Sequence, residues 1–225
     1  MKALLVPHPS RLAGFSAADF DVFGLPDFAS RMEALKARVR PKLEAFGAAL
    51  APELSAMLGE PVYPHVAKHA RRTVNPPNDT WVAWSTNPRG YKAHPHFQLG
   101  LWGSHVFAQF ALIYESPLKG PFAEAALSDL AWVRSVVPDT MRWSHDHMRP
   151  FGDRHGAMDE AALTAYFERV RRVAKAEALC GIDLMREEVE AMDGAALAEL
   201  AMATFRSTFE LYRLANSRKP AYQEA

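Results

Sequence analysis

The chain has 225 residues, 49% of them hydrophobic and 11% aromatic, enough for one large packed domain or two small ones. Twenty-six Lys and Arg balance twenty-six Asp and Glu, so any attraction to a nucleic acid or a membrane surface must come from a local cluster. No stretch reaches the ~18 uninterrupted apolar residues of a membrane span, the apolar run at the N-terminus falls short of a signal-peptide core of about 7–15 residues, and the lone Cys180 has no partner for an internal disulfide. These features predict a soluble, cytoplasmic protein.

In chain order, residues 1–14 read as a loose leader. From Phe28 to about Leu58 the apolar positions Met32, Leu35, Val39, Leu43, Phe46, Leu50 and Leu54 recur every three or four residues, the stripe of an amphipathic helix. Pro41 and Pro52 each remove a backbone donor, and the stripe stays in phase across Pro41, which predicts a kink there. From Val62 to Glu115 the period changes to two, predicting strands at about 62–69, 80–86, 96–102 and 105–115. The run Asn75-Pro76-Pro77-Asn78 and the run Asn87-Pro88-Arg89-Gly90 are loops between them.

Gly103-Ser104 reads as a two-residue hairpin turn. Closing the hairpin there sets Trp102 against His105 and Gln98 against Gln109, and puts Phe97, Leu99 and Leu101 on one apolar face with Phe110, Ala108 and Val106. Helices follow at about 121–135, 159–179 and 195–214, with a fifth strand within 140–144 and a frayed tail at 216–225. Cys180 falls near the end of the third predicted helix, where nothing adjacent lowers the pKa of its thiol. No repeat or linker divides the chain, so the expectation is a single α+β domain over 1–225, with an antiparallel sheet of four to five strands and helices packed on it.

The run from His65 through Lys68, His69, Arg71, Arg72, Thr73, Val74, Asn75 to Pro77, then Asp79-Thr80-Trp81, then Arg89-Gly90-Tyr91-Lys92-Ala93-His94-Pro95-His96-Phe97, resembles the YktB-like family of uncharacterised bacterial proteins. Arg31-Met32-Glu33, Gly100-Leu101-Trp102-Gly103, Leu112-Ile113-Tyr114-Glu115 and Lys175-Ala176-Glu177 extend the resemblance over most of residues 15–214. It implies a cytosolic α+β domain with an antiparallel sheet against helices, similar to the fold of the TATA-box-binding protein. It implies no activity, cofactor or catalytic residue, and a shared fold would not bring DNA binding with it.

Three kinds of chemistry compete for the polar residues. Eight of nine histidines lie between 65 and 155, with His65/His69, His94/His96 and His145/His147 each placed on one side of an extended chain. With no cysteine beside them and no helical His-Glu-x-x-His pattern, neutral hydrogen-bonding imidazoles explain them, and no cofactor and no stoichiometric zinc are expected. The Gly-x-Ser-x-Gly elbow, the phosphate-binding loop and the dinucleotide glycine pattern are all absent from the sequence.

A basic cluster is the second. Lys68, Arg71, Arg72, Arg89 and Lys92 face a single acid, Asp79, between Val62 and Phe97, with Trp81, Trp84 and Tyr91 interleaved. Cations with aromatics suit nucleotides and single strands, although basic residues also blunt sheet edges. A meander would set Arg71-Arg72 and Arg89-Lys92 at opposite ends of the sheet. The third is the face opposite the apolar one, carrying His96, Gln98, Trp102, Gln109 and Glu115, joined by Trp81 and Ser85 and by His65 and His69. It reads either as a ligand-binding surface or as polar groups satisfied beneath an overlying helix.

The leading expectation is a non-catalytic binding protein for an anionic ligand: RNA, DNA, a nucleotide or another phosphorylated small molecule. Arg71, Arg72, Arg89 and Lys92 would meet phosphates, and His96, Gln98 and Trp102 bases or sugars. The alternatives are a hydrolase, with His96 as general base oriented by Glu115, and a protein-interaction module for an acidic partner.

Overall fold

The computed structural model describes residues 12–70 and 72–217. Its strands form a seven-stranded sheet in the order β1-β2-β3-β4-β7-β5-β6, two or three strands more than expected. They are β1 (Tyr63–Val66), β2 (Asp79–Ser85), β3 (His96–Trp102), β4 (His105–Leu112), β5 (Arg142–Ser144), β6 (Asp153–Arg154) and β7 (Ala178–Met185). The helices are α1 (Ala17–Phe20), α2 (Phe28–Ala34), α3 (Arg40–Leu58), α4 (Lys119–Ser128), α5 (Leu130–Val136), α6 (Glu160–Arg172), α7 (Arg186–Glu190), α8 (Gly194–Ser207) and α9 (Phe209–Asn216). No helix among the described residues is long and apolar enough to cross a membrane.

The chain forms two compact units. One holds the described residues up to Pro88 with Gln98–Phe107 and Asp183–Met202; the other holds Arg89–Phe97, Ala108–Ile182 and the described residues from Ala203. Strands β3, β4 and β7 and helix α8 contribute residues to both.

In the first unit, α2 runs into α3 through a π turn at Leu35–Val39. Pro41 cannot donate to the carbonyl four residues back and its ring crowds that carbonyl, so a conventional turn fails there. The wider turn, closed by the Arg40 amide on the Leu35 carbonyl, absorbs the defect where a kink was expected. Val39, Leu43, Phe46, Leu50 and Leu54 stay on the buried side throughout. Gly47 brings α3 close to the sheet: a Cβ there would lie 2.9 Å from Pro64 Cβ and 3.2 Å from Val82. Trp84 Nε1 donates to the Gly47 carbonyl at 2.9 Å across the same contact. β1 pairs only with β2, in antiparallel register His65↔Ala83, and an edge strand is where Pro64 costs no ladder bond.

Of the expected loose leader, residues 1–11 lie outside the described residues, but Leu12 is buried and the Gly14 carbonyl accepts Lys42 Nζ at 2.8 Å; just beyond it Phe15 stacks on Phe46 at 5.7 Å. Of the expected tail, Asn216 belongs to α9, and 218–225 lie outside the described residues.

The second unit is built on an aromatic core. Phe97 packs 5.0 Å from Phe205 and 5.3 Å from Tyr212. Phe110 meets Phe122, Phe122 meets Phe167, and Trp143 meets Tyr166 and Phe167 at 5.2 and 5.3 Å. The expected helix over 159–179 stops at Arg172, and 178–185 is β7, antiparallel to β5 with Trp143 opposite Cys180. Cys180 is therefore a fully buried mid-strand thiol rather than a residue at a helix end, and burial pushes its pKa up. The expected helix 121–135 divides at Asp129, whose side chain accepts the Trp132 amide.

Candidate functional site

The loop between β1 and β2 makes a tight corner of the first unit. It opens with the Ala67 amide on the Trp81 carbonyl at 2.9 Å and then turns sharply at His69, whose φ is 51°. A left-handed backbone is uncommon for histidine and persists only where surrounding contacts hold it. Here Nε2 bonds Thr80 Oγ1 at 3.1 Å, the ring meets Trp81 edge-on at 5.7 Å, and the His69 carbonyl accepts the Arg72 amide at 2.9 Å.

The far end of the loop is fastened by Arg31 of α2. Its guanidinium donates to Leu25 O at 2.9 and 2.6 Å, to Pro77 O at 3.0 Å and to Asn78 Oδ1 at 3.4 Å. Thr73, Val74 and Asn75 between the two anchors are exposed.

Arg72 and Arg40 bring positive charge to the corner, and the buried carboxylate of Asp79 opens β2 beside Thr80. Burial lowers the pKa of His69 to about 4, with Arg72 and then Arg40 pushing the same way, so the imidazole is neutral at physiological pH. Arg40 takes part in no ion pair among the described residues, and Trp81 is half-buried. Arg71, expected beside Arg72, lies outside the described residues.

The turn at Gly103-Ser104 falls where the sequence puts it, with Trp102 stacked on His105 at 6.1 Å. A Cβ at Gly100 would collide with Phe107 Cζ and lie 2.6 Å from Trp81 Cβ, so Trp81, Gly100 and Phe107 share a face. By alternation Gln98 and Trp102 share it too, and Val82 and Trp84 point the other way, to α3. This face is not an open polar surface. In the first unit Gln98, His105 and Ser85 are buried and the Phe107 ring lies against Gly100; in the second, Gln109 is buried and His96 wholly so. His105 hydrogen-bonds Ser104 Oγ at 2.9 Å and lies 3.7 Å from Asp183. Half-buried His65 turns instead to the Asn87 carbonyl at 3.0 Å.

The remaining expected residues, Arg89, Lys92, His96, Gln109 and Glu115, belong to the second unit. Lys92 pairs with Glu115 at 3.1 Å, and Glu115 also accepts the Tyr114 hydroxyl at 3.3 Å. His96 bonds the His94 carbonyl through Nδ1 at 2.8 Å and packs against Tyr91 at 4.8 Å. The expected His96–Glu115 catalytic pair is thus replaced by a buried imidazole and a surface ion pair: the exposed lysine takes the carboxylate, and the strand turns His96 inward.

A His–Glu pair does occur elsewhere in that unit. Glu177, almost fully buried, accepts the His147 amide at 2.8 Å and the His147 ring Nδ1 at 2.7 Å on the same oxygen. Its other oxygen lies 2.9 Å from Nδ1 and 3.5 Å from the Tyr114 amide. Asp146 completes the one group of three potential metal ligands among the described residues, with ligand atoms within 4.8 Å of one another. Nearby Lys119, its pKa lowered by burial against the pull of Glu177, donates to Val173 O and Ala174 O at 2.7 and 2.8 Å. The repeated His145/His147 spacing was a signal for His147 alone among these three. Nothing local marked Glu177, thirty residues further on.

The fold and these corners describe an α+β protein with a basic, strained loop and a buried carboxylate–imidazole pair. The chain belongs to the family described as a domain of unknown function, DUF1054, whose model matches residues 15–212. It is 48% identical over 200 residues to a UPF0637 protein of Bacillus licheniformis, covering 89% of this chain and 95% of that one. UPF0637 proteins of Bacillus velezensis (44%; 89% and 95% covered) and Bacillus cytotoxicus (45%; 91% and 99% covered) are similarly related.

Proposed function

We propose that this protein binds an anionic ligand, a nucleotide or a single-stranded nucleic acid, at the loop corner made by His69, Arg72, Arg40 and Trp81. One observation carries this reading: an imidazole held in a left-handed backbone and kept neutral by burial, with the charges of Arg72 and Arg40 acting the same way. Strained backbone and a depressed pKa together are characteristic of functional sites. The arginines supply charge for phosphate, neutral His69 supplies a hydrogen bond, and the half-buried indole offers a surface for a base to stack on. Lys92 contributes less, because Glu115 neutralises it.

The test is fluorescence anisotropy of labelled single-stranded RNA and DNA, with ATP as competitor, for the wild type, Arg72→Ala and Arg40→Ala. Each lost phosphate contact should lower the slope of log K against log salt by roughly 0.7 for a single strand. No binding at low salt, to either strand or to ATP, refutes the reading.

A hydrolase is the second reading, favoured by the 2.7 Å contact between His147 Nδ1 and buried Glu177. A buried carboxylate that accepts a hydrogen bond from Nδ1–H holds the tautomer whose Nε2 is the basic nitrogen, as a general base requires. Hydrolysis of p-nitrophenyl phosphate or acetate that is lost in His147→Gln would support it. Equal rates for the two proteins would dismiss it.

A further inference from the structure

Beside α6 the second unit carries a groove of about 500 Å³. It exists because Ala162 and Ala165, on one helical face with Tyr166 and Arg169, leave the space that larger side chains would fill. Met158 and the Tyr166 ring wall it. The Tyr166 hydroxyl is already engaged, donating to Ser144 O at 2.8 Å and accepting the Leu179 amide at 3.3 Å, so the tyrosine presents hydrocarbon to the groove.

The rim is charged unevenly. Arg154 and Arg169 stand against one carboxylate, Asp153, and His145 completes the rim. Arg171 and Arg172 both reach Glu168, whereas the Arg169 guanidinium has no ion pair among the described residues. Arg154 uses only Nε, on the Asp139 carbonyl at 3.2 Å. Two guanidinium groups against one carboxylate give the charged side chains of the lining an excess of one positive charge.

We propose that this groove is a second binding site, for a small monoanion with an apolar body, such as an aryl or branched-chain carboxylate. The volume falls within the range of small-molecule sites. A guanidinium free to form two parallel bonds matches a carboxylate, and the alanine floor with its tyrosine and methionine walls accepts the apolar body. A polyanion does not fit, because Asp153 sits on the rim.

The experiment titrates the full chain with the monoanion 8-anilinonaphthalene-1-sulfonate, followed by its fluorescence and by calorimetric stoichiometry, with 2-naphthoate as competitor. One site per chain is expected. Arg169→Gln should weaken it about tenfold, the loss of one charge-assisted pair, and Ala165→Trp should abolish it by filling the floor. Arg171→Gln, an equal loss of charge two residues on and roughly half a turn round the helix, should leave it unchanged. Both arginines are on the helix surface, so neither substitution threatens folding. Binding unaltered by Arg169→Gln, weakened equally by Arg171→Gln, or resistant to 2-naphthoate overturns the proposal.

Discussion

Replacing His69 by Asn removes one titrating group from a well-defined place, and its effect follows from the pKa. The folded-state value is about 4 against 6.5 for an unhindered imidazole. As pH falls below 6.5 the unfolded chain takes up a proton that the folded protein refuses, so stability is fully present above that value and lost down to about pH 4. At 1.36 kcal/mol per pH unit the loss approaches about 3 kcal/mol, a large fraction of a typical folding free energy of about 5–15 kcal/mol. Asn tolerates the left-handed backbone and its amide can meet Thr80, but it does not titrate. Urea unfolding of both proteins at pH 7.5, 6, 5 and 4.5 gives the difference in stability at each pH. The wild type should lose ground steadily to His69→Asn from pH 6.5 downward. His145 and His155, also depressed by burial, are present in both proteins and cancel. A difference that stays flat over this range refutes the assigned environment of His69.

Gly47→Ala should destabilise the protein by about 1–3 kcal/mol in urea unfolding, because the added methyl overpacks against Pro64 and Val82 and strains the Trp84 hydrogen bond. Glu177→Gln should cost about 2 kcal/mol by weakening two charge-assisted bonds to His147 and removing the charge beside Lys119, seen as a lower Tm. Excess zinc or manganese should leave the wild-type Tm unchanged, since both Glu177 oxygens already accept N–H groups; a rise that disappears in Glu177→Gln would make the Asp146–His147–Glu177 group a metal site instead. Cys180 should resist a thiol reagent until the protein unfolds, and modification at the rate of free cysteine in native buffer would contradict its burial.

The hairpin was legible because a two-residue turn fixes which residues share a face, and Trp102 does stack on His105. The α2–α3 stripe was legible because 3.6-residue periodicity survives a π turn that shifts the phase by a single residue. β7 was hidden for the opposite reason. Ala178 to Gly181 are all buried, so the strand shows no alternation, and its apolar run merges with the stripe of α6. Alternation groups Trp81 with Gly100 on one face, but it says nothing of what lies over a face, and Gln98 and His96 are buried. Among the basic residues, spacing says nothing of the partner of Lys92, because Glu115 lies twenty-three residues away on the far side of two strands.

Arg31 has a consequence for how this loop tolerates change. Its guanidinium ties Leu25, Pro77 and Asn78 together, while His69 and Thr80 close the other end, so the chain between them is clamped on both sides of an exposed tip. Thr73, Val74 and Asn75 can therefore be lengthened without disturbing either clamp, because each doubling of a flexible loop adds only about 0.6 kcal/mol of closure entropy. A short epitope or a fluorophore-bearing peptide inserted after Val74 would sit on a surface arch with fixed footings, whereas the same insertion after Pro77 would pull the Arg31 knot apart.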